Sequence, residues 1–211
     1  ISNKRKSQLK QIAYSVDLAD IQNYTFSNVP IGKHVFSAVQ RYTLSCEPSL
    51  HENEILFREF LLSSLITLEV TRNAIKKYNP TLILLSHGVY STWGTAMEVA
   101  LRDGVRCVTW GRGYIGGNII LAHDASYLEA DRIERNNFWR MRELTKPQVD
   151  IVLKYLQLKQ AFDADVDQVC YYKRVEQLNK NEVLKSLRLE PKRKRIGMYP
   201  NIPWDGQTYS N

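Results

Sequence analysis

Two histidines stand where apolar runs stop: His87 in Ser86-His-Gly88 and His123 in Ala122-His-Asp124. An unperturbed imidazole titrates near 6.5, so either can accept a hydroxyl proton at neutral pH. The structural alternative for each is a histidine bonded to a backbone carbonyl. His87 is followed by Gly88, which lets a substrate approach the backbone, and then by Tyr90 and Trp93, whose rings suit a sugar face. His123-Asp124 reads as a base beside an orienting carboxylate. Adjacent residues on an extended segment point to opposite faces, however. One of the two is therefore expected to face a cleft and the other to cap the next helix. In open α/β sheets ligands bind beyond the carboxyl ends of the strands, which favours both histidines as ligand-side residues.

Gly111-Arg-Gly-Tyr-Ile-Gly116 matches GxGxxG. The dinucleotide fingerprint must follow a strand and open a helix. Here the following residues, Asn118 to Ala122, read as a strand, so the match is rejected. It remains a loop carrying Arg112 and Tyr114, placed to touch a ligand. Asp163-Ala-Asp165, with Asp167, resembles a metal-binding run, but a calcium loop needs Gly at its sixth position and Glu at its twelfth. Gln168 and Arg174 occupy those positions, so a solvated turn is expected and no metal. No GxSxG, HExxH or P-loop occurs.

The elements that must position these residues can be read in outline. Glu52 to Tyr78 has helical periodicity and ends at Asn79-Pro80. Thr81 to Ser86 reads as a strand buried on both faces. Thr92 is expected to cap a helix running from Gly94 to Asp103, with Gly104 terminating it. Val105 to Trp110 is the next strand, completing a βαβ unit. After the loop at 111–117 and the strand from Asn118, helix resumes beyond Ser126. Thr145-Lys-Pro-Gln148 looks like a capping box opening a helix to about Phe162. A shorter helix is expected near Asn181 to Leu187, then a boundary at Pro191 and a strand at Ile196 to Tyr199. Residues 1–50 carry little signal: a short strand around Ile12 to Val16 and a turn at Val29 to Gly32. The fold class is α/β, an open and mostly parallel sheet flanked by helices.

A net charge of +7 invites a nucleic-acid partner, but its distribution argues against one. Lys4, Arg5, Lys6 and Lys10 near one end and Lys192, Arg193, Lys194 and Arg195 near the other outnumber the whole excess, so the body is close to neutral. A duplex-binding surface needs a basic face on a folded element. Cys46, Cys107 and Cys170 are odd in number and widely spaced, which argues against a disulfide framework or zinc site and for a reducing compartment. Cys107 reads as a small buried residue. The longest apolar stretch, Phe60 to Val70, is interrupted by Ser63, Ser64, Thr67 and Glu69, and falls short of the roughly 20 apolar residues of a membrane span. The chain begins with Ile1 and reads as part of a longer protein.

Ser86-His-Gly-Val-Tyr90, Gly94, Glu98, Gly104-Val105, Thr109-Trp110, Tyr114 and His123-Asp124 together resemble the acceptor domain of bacterial capsular and surface-polysaccharide glycosyltransferases. Val183 to Leu189, Pro191 and Ile196-Gly-Met-Tyr-Pro-Asn-Ile-Pro-Trp-Asp205 are similar to the junction and first donor-domain strand of the same proteins. The resemblance implies a GT-B arrangement of two Rossmann-like domains. Residues 1–190 would be the acceptor side, and 191–211 a linker and the first strand of a truncated donor domain. It implies His87 as base with Asp124 second. Tyr90, Trp93, Arg112, Tyr114 and His123 fall on the acceptor side, and Asn201, Trp204 and Asp205 line the cleft from the donor side. It further implies a nucleotide-sugar donor bound by the missing domain, a saccharide or lipid-linked saccharide acceptor, and no cofactor. The expected location is cytoplasmic, with peripheral contact at an anionic membrane. A fragment of this extent is expected not to bind a nucleotide sugar alone. The alternative is a non-catalytic binding or assembly module of a polysaccharide system.

Overall fold

The computed structural model describes residues 1–113, 118–130, 141–160, 180–188 and 190. The expected strand at Ile196 to Tyr199, the domain boundary at 190/191, Tyr114, the Asp163 to Asp167 run, Cys170, Asn201, Trp204 and Asp205 lie outside them. The chain divides into two compact units, described in turn. The first holds described residues 1–111 and 120–130; the second holds 112, 113, 118, 119, 141–160, 180–188 and 190.

The first unit opens with α1, Asn3–Ser15, where a strand was expected around Ile12 to Val16. Ile12 and Val16 fit a strand in a short window. Adding Leu9 and Ala13 gives the helical spacing, and Leu9 and Ala13 are the residues that α1 buries. Ser2 caps it, its Oγ accepting from the Arg5 N–H at 3.2 Å. A small hairpin follows, β1 at Thr25–Phe26 and β2 at Val29–Pro30. It turns at Ser27 and Asn28, both with positive φ as a tight hairpin requires. The turn therefore precedes Val29. Gly32 already begins α2, Gly32–Thr43.

Helix α3, Glu54–Tyr78, buries Phe57, Leu61, Ser64, Leu65 and Leu68 along one stripe and ends at Asn79 in the left-handed conformation. It runs antiparallel to α1. Arg5 pairs with Glu69 at one end, and the Tyr14 hydroxyl donates to Glu59 at 2.7 Å at the other. The Arg58 guanidinium donates to the Ala13 and Val16 carbonyls at 3.0 and 3.2 Å, closing the C-terminal end of α1.

Strand β3, Leu82–Ser86, lies parallel to β4, Arg106–Arg112, in register from Leu82 opposite Arg106 to Ser86 opposite Trp110. Helix α4, Thr95–Arg102, links them, as the βαβ reading requires. Gly104 follows it at φ +76°. Strand β5, Ile119–His123, completes a three-stranded sheet in the order β3-β4-β5. The Gly113 N–H donates to Asn118 O at 2.9 Å and the Asp124 N–H to Cys107 O at 2.7 Å, the pattern of an antiparallel hairpin. The sheet is therefore mixed, one parallel and one antiparallel pair, rather than mostly parallel. One face of β3 is open, with Leu84 64% exposed, which corrects the reading of β3 as buried on both faces, whereas the central strand β4 buries Val108 on that side as well as Cys107 and Thr109 on the other. The covered face packs Leu85 and Cys107 against Ala96, Met97 and Ala100 of α4. The opposite side of α4 sends Val99 into the helical core with Leu9, Val35, Phe57 and Leu65. A one-turn helix α5, Tyr127–Ala130, ends the described part of this unit.

In the second unit, α6 spans Lys146–Gln160 and α7 Lys180–Ser186. The capping box opens α6 as read: the Gln148 Oε1 accepts from the Thr145 N–H at 2.9 Å and from its hydroxyl at 3.1 Å. Leu184 of α7 is buried.

Candidate functional site

His87 is the first residue beyond β3. Its N–H donates to Trp110 O at 2.9 Å, and its carbonyl accepts from the Ser126 hydroxyl at 2.7 Å, so its backbone is held from both sides. Gly88 follows at φ +72°. A Cβ there would lie 2.9 Å from both the Met97 sulfur and the Thr109 methyl, so only glycine fits. Tyr90 then adopts φ +66°, which a bulky side chain holds at a cost of about 1–3 kcal/mol unless its surroundings enforce it. Residues Tyr90–Gly94 form a π-turn closed by the Gly94 N–H donating to Val89 O at 3.0 Å. Such turns recur at functional sites. Here the wide turn occupies the position where Thr92 was expected to cap α4. Thr92 lies inside the turn, and α4 starts from Gly94 with no side-chain cap.

The turn has two faces. Outward, Tyr90 and Trp93 set their rings edge-on to His87, with centroids 5.4 and 6.4 Å from the imidazole and interplanar angles of 78° and 86°. Trp93 is 43% exposed. His87 is half-buried, and burial lowers its pKa below the usual 6.5, which keeps the ring neutral at physiological pH. Its Nδ1 accepts from the Val89 N–H at 3.4 Å, a long bond that favours the tautomer with the proton on Nε2.

Inward, Ser91, Gly94 and Thr95 are buried. Ser64 of α3 donates its hydroxyl to Ser91 O at 3.1 Å. His34 of α2, only 4% exposed, lies against Gly94 so closely that a Cβ there would be 2.1 Å from Nδ1. Its Nε2 is 3.6 Å from Glu98 Oε1, and Lys33 Nζ reaches the same oxygen at 2.5 Å. Burial pushes the Glu98 carboxyl up, but the Lys33 ammonium against it and the His34 ring facing it outweigh that and bring the pKa down to about 2. Nothing in the sequence reading singled out Lys33 or His34. Their partner is 64 or more positions away and neither sits in a motif; the available signal was Glu98 flanked on its helix by the apolar core residues Met97, Val99 and Ala100.

Of the candidates described in the first unit, the structure gathers His87, Tyr90 and Trp93, and sets His123 and Asp124 apart from them. His123 and Asp124 were expected beyond the same strand ends. Because β5 is antiparallel, its C-terminal end lies beside Cys107, three residues or about 10 Å along β4 from Trp110, where His87 is anchored. The connection from Gly113 to Asn118 is six residues, too short for a parallel crossover, and that was the legible signal. Asp124 takes φ +56° and its Oδ1 accepts from the Cys107 N–H at 2.8 Å, so the carboxylate finishes the hairpin. It does not cap the following helix; the Ser126 Oγ accepts from the Leu128 N–H at 3.3 Å there. His123 is exposed, and Arg112 is the exposed last residue of β4. Cys107 is fully buried, with its thiol pushed up to about 11 by burial and by Asp124.

Among the described residues no group of three or more His, Cys, Asp or Glu could hold a metal ion, and no helix is long and apolar enough to cross a membrane. Compared with protein-family models, curated proteins and solved structures, the chain finds no match in any of the three.

Proposed function

We propose that this chain is the acceptor-side, Rossmann-like part of a GT-B glycosyltransferase acting in surface or capsular polysaccharide synthesis. In this reading it takes a saccharide or lipid-linked saccharide on the His87–Tyr90–Trp93 face, while a further domain supplies the nucleotide sugar. The observation that carries the reading is that face: two aromatic rings and a neutral imidazole, held by a π-turn at the carboxyl end of a parallel strand. A pyranose offers an apolar face to an aromatic ring and hydroxyls to a polar group beside it. A neutral imidazole can accept a proton from such a hydroxyl as it attacks the donor's anomeric carbon. No metal or cofactor enters this proposal.

The bond from the Val89 N–H to Nδ1 favours a second reading. With the proton on Nε2, His87 donates a hydrogen bond to a sugar oxygen, as a non-catalytic binding module would use it. A base acting at Nε2 needs the other tautomer. The two readings separate in the full-length protein. If His87 is the base, His87→Ala lowers turnover about 100-fold or more with folding kept. If it is only a donor in a non-catalytic module, the wild type shows no turnover and His87→Gln retains saccharide binding. Saccharide titrations that leave the Trp93 fluorescence unchanged would remove both.

A further inference from the structure

The turn that carries Tyr90 and Trp93 is strained and has no cap of its own. Tyr90 sits at φ +66° and α4 begins without a side-chain N-cap. The Ser91 and Thr95 hydroxyls are buried and make no hydrogen bond among the described residues. A left-handed tyrosine persists only where its surroundings over-determine it. What holds the turn must therefore come from neighbouring elements. Ser64 supplies one hold, on the Ser91 carbonyl. The other is His34. Its ring is pressed on the Gly94 backbone at Nδ1 and faces Glu98, one helical turn later, at Nε2. Lys33 lies on the solvent side of Glu98 and supplies the charge that lets a nearly buried carboxylate stay ionised.

We propose that His34 and Glu98, with Lys33, are positioning residues that clamp the aromatic turn from inside and so fix the angle at which Tyr90 and Trp93 meet a saccharide. This rests on the saccharide-binding reading above for its purpose, but not for its geometry. The imidazole acts as a spacer between Gly94 and Glu98. If it shortens, or if the carboxylate loses its charge, Gly94 moves inward and the outward rings tilt. None of the three touches the ligand; their effect passes through Gly94 and the pitch of the turn.

The test uses the 211-residue chain labelled with 5-fluorotryptophan, with the Trp93 fluorine resonance assigned by Trp93→Phe among the four tryptophans. The probe variants are Glu98→Gln, which is isosteric, His34→Ala, and His34→Gln, which keeps a donor toward Glu98. The control is Leu9→Ala, a fully buried residue of α1 whose loss loosens the helical core from the side of α3 that α1 covers. Glu98→Gln and His34→Ala should shift the Trp93 resonance without any sugar present, and His34→Gln should return it toward the wild-type position. Leu9→Ala should lower the melting temperature and leave the resonance in place. Saccharide affinity should fall about 10- to 100-fold in the shifted variants. An unmoved Trp93 resonance in Glu98→Gln overturns the proposal even if His34→Ala fails to fold. An equal shift in Leu9→Ala overturns it as well, because the effect is then general loosening. A shift in the variants with no saccharide binding by the wild type leaves the clamp standing and removes the saccharide reading instead.

Discussion

The Glu98→Gln substitution has a pH signature that can be worked from the structure. Glu98 is only 13% exposed at its side chain and faces Lys33 and His34. Its pKa drops from 4.5 to about 2. A fall of about 2.5 at about 1.4 kcal/mol per pH unit makes the ionised carboxylate a stabilising group of about 3 kcal/mol. The sign follows from the depressed value. The contribution is complete above the unfolded value of 4.5, shrinks as protons bind the unfolded chain, and is gone below about pH 2. Wild type should therefore exceed Glu98→Gln by about 3 kcal/mol at neutral pH and by about 1 kcal/mol at about pH 3. Urea unfolding followed by far-ultraviolet circular dichroism measures both chains across that range, and the other carboxylates, common to both, cancel in the difference. A gap that stays constant from neutral to acid pH, or no gap at neutral pH, would refute the assignment of a paired, ionised Glu98.

Three further outcomes follow from the same coordinates. Gly94→Ala should cost about 1–3 kcal/mol because its Cβ meets the His34 ring; in a His34→Ala background most of that cost should vanish, and a double-mutant cycle measured by urea unfolding reads the coupling. Tyr90→Asn should stabilise the chain by about 1 kcal/mol, since asparagine tolerates φ +66°, while weakening saccharide binding; a lower melting temperature would contradict the strain assigned to Tyr90. Iodoacetamide followed by peptide mass mapping should modify exposed Cys46 in the native chain and reach Cys107 only after denaturation, because burial and a raised thiol pKa keep Cys107 protonated.

What the sequence disclosed depended on how local the cause was. Most of Thr81 to Trp110 was readable because its boundaries carry their own chemistry, Pro80 after the long helix and Gly104 at the helix end, while the start of α4 was misplaced because a wide turn stands where Thr92 looked like a cap. The aromatic pair was found for the same reason, since Tyr90 and Trp93 lie three apart beside His87. Two features were misread for want of direction or length. In a five-residue window Ile12 to Val16 fits strand and helix alike, and only the burial of Leu9 and Ala13 separates them. The strand that ends at His123 was taken to point the same way as its neighbours, yet strand direction is written only in the length of the connection before it. The inner clamp was invisible because Lys33 and His34 meet Glu98 across most of the domain, and no local pattern announces such a pairing.

The placement of α4 has a consequence for how the first unit comes apart. Val99 and Ala100 are neighbours in sequence, each fully buried, but one belongs to the helical core and the other to the core under the sheet. A helix of eight residues is too short to persist on its own. Losing either core therefore removes one wall of α4 and dissolves the other, so the two cannot melt in sequence. Amide protons of α4 should exchange only with global opening, at the slowest rate in the unit and at the same free energy as those of β4 and the middle of α3. The aromatic turn, covalently continuous with α4, inherits that protection at Gly94 and loses it toward Tyr90. Scaffold and exposed surface then meet within five residues, where buried Ser91 and Gly94 flank exposed Thr92 and Trp93.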